Sequence, residues 1–204
     1  MDQVKISIIY YSSTGTTYKL AQAIAEGAEK AGALVTIKKV HELAPEEAVK
    51  SNEGWAQHRV ATQDVPEATA DDVVGADAVI FGSPTRYGNV AAQLKQFIDT
   101  LGPQWGQGLL ANKVYSGFTS ASTGHGGHET TLQAIYTTVH HFGGIVVAPG
   151  YTDPVKFVDG NPYGTSFTSG ENPEPDQKAI DAAVYQGKRV AEIAAALKAG
   201  LAAA

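Results

Sequence analysis

The sequence contains no cysteine. That absence removes disulfide scaffolds, thiolate nucleophiles, Cys-ligated iron–sulfur clusters and every Cys-based zinc site. Any redox chemistry must then rest on a bound cofactor. Basic residues are outnumbered, 15 Lys and Arg against 21 Asp and Glu, for a formal net charge of −6. A surface that tracks nucleic-acid phosphates needs clustered Lys and Arg, so nucleic acid is not an expected partner. No apolar run approaches the roughly 18 residues that span a bilayer, and Met1-Asp2-Gln3-Val4-Lys5 lacks a basic stretch followed by a long apolar one. A soluble, cytoplasmic protein without stable membrane insertion is expected. A length of 204 residues suits one domain over residues 1–204, built on one core.

What is present is an alternation of short β-branched runs with helical periodicity. Val4 to Tyr11 reads as a strand buried on both faces, followed by Leu20, Ala21, Ile24 and Ala28 on one helical face, with Gly32 to stop the helix. Leu34–Ile37, Ala78–Phe81, Val114–Phe118 and Ile145–Val147 read as four further strands. Val90, Leu94, Phe97, Ile98 and Leu101 form one helical face, Leu132, Ile135, Tyr136 and Val139 another, and Ile180, Val184, Ala191, Ala194 and Leu197 a last one before a frayed 200–204 tail. Such alternation predicts a doubly wound α/β sheet. Two stretches fall outside the repeat: 41–72, mixed and polar with short helical hints, and 150–177, rich in Gly, Pro, Asn and Tyr, which reads as a loop excursion.

Three turns carry the chemistry. Ser12-Ser13-Thr14-Gly15-Thr16-Thr17 stands between the first strand and its helix. Helix-terminal N–H groups and the positive end of the dipole, with hydroxyls around them, can hold a phosphate monoester without Lys or Arg; the bland alternative is an ordinary N-cap, which needs only one hydroxyl. Pro84-Thr85-Arg86-Tyr87-Gly88 follows the third strand, where backbone groups of Thr85 and Arg86 can bond a heteroaromatic edge and Tyr87 either packs beside that ring or fills the sheet edge half-buried. Ser120-Ala121-Ser122-Thr123-Gly124-His125-Gly126 follows the fourth strand, with small residues that admit a planar ligand or simply form a turn. No metal site is expected: His125 and His128 lack the further ligands zinc needs, and His140 and His141 point about 100° apart on a helix.

Taken together, these turns resemble the flavodoxin-like superfamily through Ser12, Thr14, Gly15 and Thr17, and more closely the WrbA family of NAD(P)H:quinone oxidoreductases. The latter resemblance is carried by Phe81 to Asn89, Trp105, the loop to Gly127, Thr137-Thr138 with the nearby histidines, and Pro162-Tyr163-Gly164. The resemblance implies a flavodoxin-like five-stranded parallel sheet in the order 2-1-3-4-5, with helices on both faces and the late excursion. It also implies FMN, with phosphate on Ser12 to Thr17 and ring between the Thr85-Arg86-Tyr87 and Ser120 to Gly126 loops. The family's flavin-contacting histidine falls on His141, a one-residue slip selecting His140, and its substrate-side tryptophan on Trp105. Thr14 stands where members often carry an aromatic that touches the dinucleotide.

The implied activity is two-electron reduction of a quinone to a hydroquinone by NADH or NADPH, both substrates using one site in turn, with His141 as hydrogen-bond donor and catalytic residue. A homotetramer is implied as well, with the excursion as a candidate contact. The competing reading is a flavodoxin-type one-electron carrier to protein partners, which binds FMN alike but lacks a nicotinamide pocket.

Overall fold

The computed structural model describes residues 3–203. Its centre is β1 (Lys5–Tyr10), flanked in parallel by β2 (Leu34–Lys39) and by β3 (Ala78–Arg86). The strand alternates its side chains between two apolar layers, as a period of two dictates. Ile6, Ile8 and Tyr10 enter one core cluster, and Ile9 enters the other together with Tyr11 just past the strand end. Ala78 and Ile80 of β3 join the first cluster, Val79 and Phe81 the second.

β3 runs longer than expected because its end folds back through Tyr87-Gly88 onto β4 (Asn89–Val90), an antiparallel pairing of Arg86 with Asn89. Beyond β3 lies β5 (Val114–Ala121), again parallel. The fifth position is shared by two short strands, β6 (Ile145–Val146) beside Val114 and Tyr115, and β7 (Thr165–Thr168) beside Phe118 to Ala121. The path β2-β1-β3-β5-β6 is thus the expected order once the hairpin arm β4 is set aside, whereas the strand count is seven among the described residues. Residues 147–164 split the edge strand, and an edge tolerates that because only one side of its backbone must pair.

α1 (Thr16–Lys30) covers one face of the sheet. The 41–72 stretch holds α2 (Glu46–Lys50), α3 (Glu53–Ala61) and α4 (Ala70–Val74). α5 (Ala92–Asp99) starts two residues later than its apolar face suggested, because Val90 belongs to β4, and α6 (Gly102–Gly106) follows. α7 (His128–Phe142) packs beside α5 on the second face, with Leu132, Ile135, Tyr136 and Val139 buried as expected. The excursion contains α8 (Pro154–Asp159) as well as β7, so its 150–177 span is part helix and part sheet rather than loop. α9 (Gln177–Ala202) lies on α1; it carries helical backbone through residues expected to fray, and Ala204 lies outside the described residues. Its buried face is centred on Ala183, Val190, Ala191 and Ala194, with Ile180, Val184 and Leu197 at the margin. α1 and α9 cross backbone to backbone: a Cβ on Gly27 would stand 1.9 Å from the Val184 carbonyl oxygen, and one on Gly187 1.9 Å from that of Ile24.

Candidate active site

Because β1, β3 and β5 are consecutive neighbours, with Tyr10 beside Gly82 and Gly82 beside Phe118, their carboxyl ends release three turns along one edge of the sheet. Side chains bind these turns into a closed triangle. Thr17 Oγ1 and Ser120 Oγ share a hydrogen bond at 3.0 Å, Thr85 Oγ1 donates to the Gly126 carbonyl at 3.1 Å, and the Arg86 guanidinium reaches Ser13 Oγ at 3.5 Å. Thr131 Oγ1 supports Thr85 Oγ1 from α7 at 2.8 Å. Between the turns lies a cavity of about 240 Å³ lined by Ser12, Ser13, Thr14, Thr16 and Thr17 from the first, Pro84 to Arg86 from the second and Ser120 to Ser122 from the third.

The first turn is built to take an anion. Gly15 adopts φ +103° at the N-cap of α1, no side chain caps that helix, and no acidic residue occupies its first turn. The N–H groups of that turn therefore have neither an intrahelical partner nor a carboxylate to answer the dipole. Ser12 Oγ accepts the Gly15 N–H at 3.1 Å and fixes the bend. An oxygen-rich lining, a bare helix N-terminus and the Arg86 guanidinium beside them suit a phosphate monoester with a hydroxylated chain, so the residues present fit FMN. At about 240 Å³ the cavity encloses part of such a molecule and not the whole.

Further candidates fall elsewhere. Tyr87 is fully exposed at φ +54°, so the half-buried alternative is excluded. Gly88 helps shape the hairpin at φ +78°, and a Cβ on Gly127 would lie 2.6 Å from the Gly88 Cα, which forces the second and third turns into backbone contact. Thr123, Gly124 and His125 form an exposed tip, and Gly126 lies tight on Ala121. His128 is buried near the Phe167 carbonyl, 3.3 Å from its Nε2. His140 and His141 are both exposed near the end of α7. Trp105 and His141 share a separate cleft with Thr138 and Phe142. An apolar groove of about 740 Å³ between α5 and α7 shares Arg86 with the first cavity, and Lys95, Ile98 and Thr138 with the cleft. Within one chain the cradle and the Trp105–His141 cleft are therefore joined by a track, not merged.

Sequence reasoning missed the neighbourhood of α3. Glu42 accepts hydrogen bonds from the Tyr11 hydroxyl (2.9 Å), the Trp55 indole (3.1 Å), the Gln93 amide (2.7 Å) and the Ala44 N–H (2.9 Å), tying the cradle's entry to α3 and α5. Burial opposes its ionisation, but these donors together outweigh it and hold the carboxyl below its ordinary value. His58 packs against the first turn from a neighbouring cavity shared with Tyr11, Glu42 and Trp55, its Nδ1 3.4 Å from where a Gly15 Cβ would be, with the Tyr18 ring centred 5.7 Å away. Burial, then the charges of Lys19 and Lys39, lower its pKa to about 4. The Pro162-Tyr163-Gly164 run is structural here: the Tyr136 hydroxyl donates to the Tyr163 carbonyl, and a Cβ on Gly164 would meet the Gly117 oxygen at 2.3 Å.

A model of the NADPH-dependent FMN reductase family matches residues 4–153. An NAD(P)H dehydrogenase (quinone) from Deinococcus radiodurans is 46% identical over 197 residues, covering 95% of this chain and 97% of that protein. The chain belongs to the NAD(P)H dehydrogenase (quinone) family. A solved structure described as a flavodoxin, WrbA-like protein from Agrobacterium tumefaciens resembles this dehydrogenase with a TM-score of 0.69 and 26% identity, covering 95% of this chain and 99% of that one. Oxidised flavodoxin 2 from Bacillus cereus, at a TM-score of 0.63 and 18% identity over 93% of this chain and 99% of its own, shares the fold alone with the dehydrogenase. No helix among the described residues is long and apolar enough to cross a membrane.

Proposed function

We propose that this dehydrogenase reduces quinones by two electrons with NADH or NADPH, the two substrates using one site in turn. It is an oxidoreductase of the NAD(P)H dehydrogenase (quinone) family with FMN as its cofactor. FMN, when bound, supplies the hydride chemistry, and the protein binds, orients and excludes water. The observation that carries the reading is the uncapped N-terminus of α1, ringed by hydroxyls and free of acidic residues in its first turn. Ser12 to Thr17 hold the phosphate; the second and third turns border the ring. Trp105 offers a face for stacking, and the His141 imidazole N–H is the donor to a quinone oxygen as charge develops there.

The Trp105–His141 cleft and the cradle are distinct cavities of one chain. We therefore propose a homotetramer in which the cleft of one chain faces the cradle rim of another. Exposed Tyr151, Phe157, Val158 and Tyr163 on the late excursion give it an apolar surface to bury. A flavodoxin-type carrier would bind FMN in the same cradle, but it has no use for the cleft. Anaerobic mixing with NADPH or NADH should bleach the flavin absorbance and excess quinone should restore it; a flavin that neither nucleotide reduces would refute the enzyme reading. Thr17→Val should weaken FMN retention, since a hydroxyl bonded to a charged phosphate is worth about 1.5–3 kcal/mol. Mixed tetramers of Thr17→Val and His141→Ala chains should recover activity if sites are shared, and stay inactive if each chain works alone.

A further inference from the structure

One residue lining the cradle cavity comes from none of the three turns. Ser169 follows β7, more than forty positions after the third turn, and sits partly buried against the cavity. Its placement is enforced twice. The Ser169 N–H donates to the Ala121 carbonyl at 2.8 Å, and its Oγ is 3.3 Å from the same oxygen. The shorter backbone bond already answers that carbonyl, so the hydroxyl proton can turn toward a ligand at little cost, and the oxygen retains two lone pairs. The chain beyond is shaped as well. Asn172 N–H closes a turn on the Ser169 carbonyl at 2.8 Å, and Asn172 Oδ1 accepts the Glu174 N–H at 3.0 Å. The Glu174 carboxylate then pairs with Lys19 in the first turn of α1. The segment is fastened to the third turn at one end and to the cradle helix at the other.

We propose that residues 169–174 are a fourth wall of the FMN site, with Ser169 a cofactor-contacting residue that bonds the ribityl phosphate tail. This rests on the FMN reading above. The wall explains why the edge strand resumes after residues 147–164: β7 alone carries the chain back to the ligand edge, whereas β6 pairs only at the opposite end of β5. It also gives the Lys19–Glu174 pair a task. With its charge engaged by Glu174, Lys19 serves as an anchor for the wall, and the phosphate is left to amides and hydroxyls.

The test is flavin release from the holoprotein, read as recovery of flavin fluorescence on dilution. Ser169→Ala should raise the FMN dissociation constant about fivefold to tenfold, the equivalent of one hydrogen bond, while Ser169→Thr restores it and the Ala121 backbone anchor is kept in both. Glu174→Gln should speed release, and added salt should speed release more from the wild type than from this variant, which has already lost the Lys19–Glu174 pair. Thr17→Val serves as the reference. If Thr17→Val sheds FMN while Ser169→Ala holds it at wild-type affinity and rate, the fourth wall is refuted and the cradle stands. If neither change alters FMN binding, the FMN reading itself fails. If Ser169→Thr behaves like Ser169→Ala, the hydroxyl is not the contact and the proposal falls.

Discussion

Trp105 donates its indole N–H to the backbone carbonyl of His141 at 2.7 Å. The bond ties α6 to the last turn of α7 and spends a main-chain acceptor, which leaves the imidazole and the indole face available. Both side chains remain exposed, Trp105 at 55%.

Trp105→Ala is expected to raise the KM for quinone by about twofold to tenfold, the loss of a stacking contact worth about 0.5–1.5 kcal/mol, with flavin content unchanged. Steady-state kinetics on variants of measured flavin stoichiometry decide it. Loss of FMN at an unaltered rate per flavin would move Trp105 from the substrate side to cofactor support.

The hairpin at Tyr87-Gly88 has positive φ at both central residues, the geometry that Asn-Gly satisfies with least strain. Tyr87→Asn should therefore stabilise the fold by about 0.5–1 kcal/mol, a gain of a few degrees in Tm for a chain of this size. The same change removes a fully exposed ring next in sequence to the Pro84 to Arg86 lining of the cradle. A slower reaction with NADPH or quinone is expected alongside the higher Tm, and unchanged kinetics would take Tyr87 out of the site.

Gly127→Ala should do the opposite. The position has φ +93°, and the added Cβ would press on the Gly88 backbone. Left-handed strain alone costs about 1–2 kcal/mol, and the backbone clash adds to it. A fall in Tm of several degrees with weakened FMN retention is expected; a wild-type melting curve would contradict the contact.

His58 makes stability depend on pH. Its folded pKa of about 4 lies below the ordinary 6.5, so the unfolded chain binds the proton more readily. The contribution is fully present above pH 6.5 and is lost as pH falls from there toward 4. Allowing for its partial exposure, about 1 kcal/mol is at stake. Urea midpoints measured across that window should decline, and His58→Phe should flatten the decline; an identical slope in the variant would assign it to other groups, Glu42 and the remaining carboxylates included.

The strands that bear the site were legible because each is buried on both faces, which writes a continuous apolar run into the sequence. The three turns were legible because phosphate binding and close backbone approach demand Ser, Thr and Gly at strand ends. β7 was not, since Thr165-Ser166-Phe167-Thr168 is four residues at an edge and its turn-rich flanks resemble loop. α3 buries no residue fully, so it leaves no apolar stripe to read. Ser169 carries no local signal at all; its role follows from a pairing with Ala121, 48 residues away. The separation of Trp105 and His141 from the cradle was equally invisible, because sequence spacing on α7 says nothing about which cavity its end faces.

The contact of Gly27 with Val184 and of Gly187 with Ile24 has a consequence for biosynthesis. The helix that presents the cradle is braced by the helix made some 150 residues later, with no room for a side chain between them. Contacts between such distant stretches form late and slowly. We expect a nascent chain stalled before residue 177 to expose the hydroxyl turn without holding it rigid, and so to leave the ribosome-bound complex colourless. Flavin retained by such a stalled chain would overturn that expectation; otherwise cofactor capture awaits the emergence of α9, and the protein is loaded only once synthesis has passed that point.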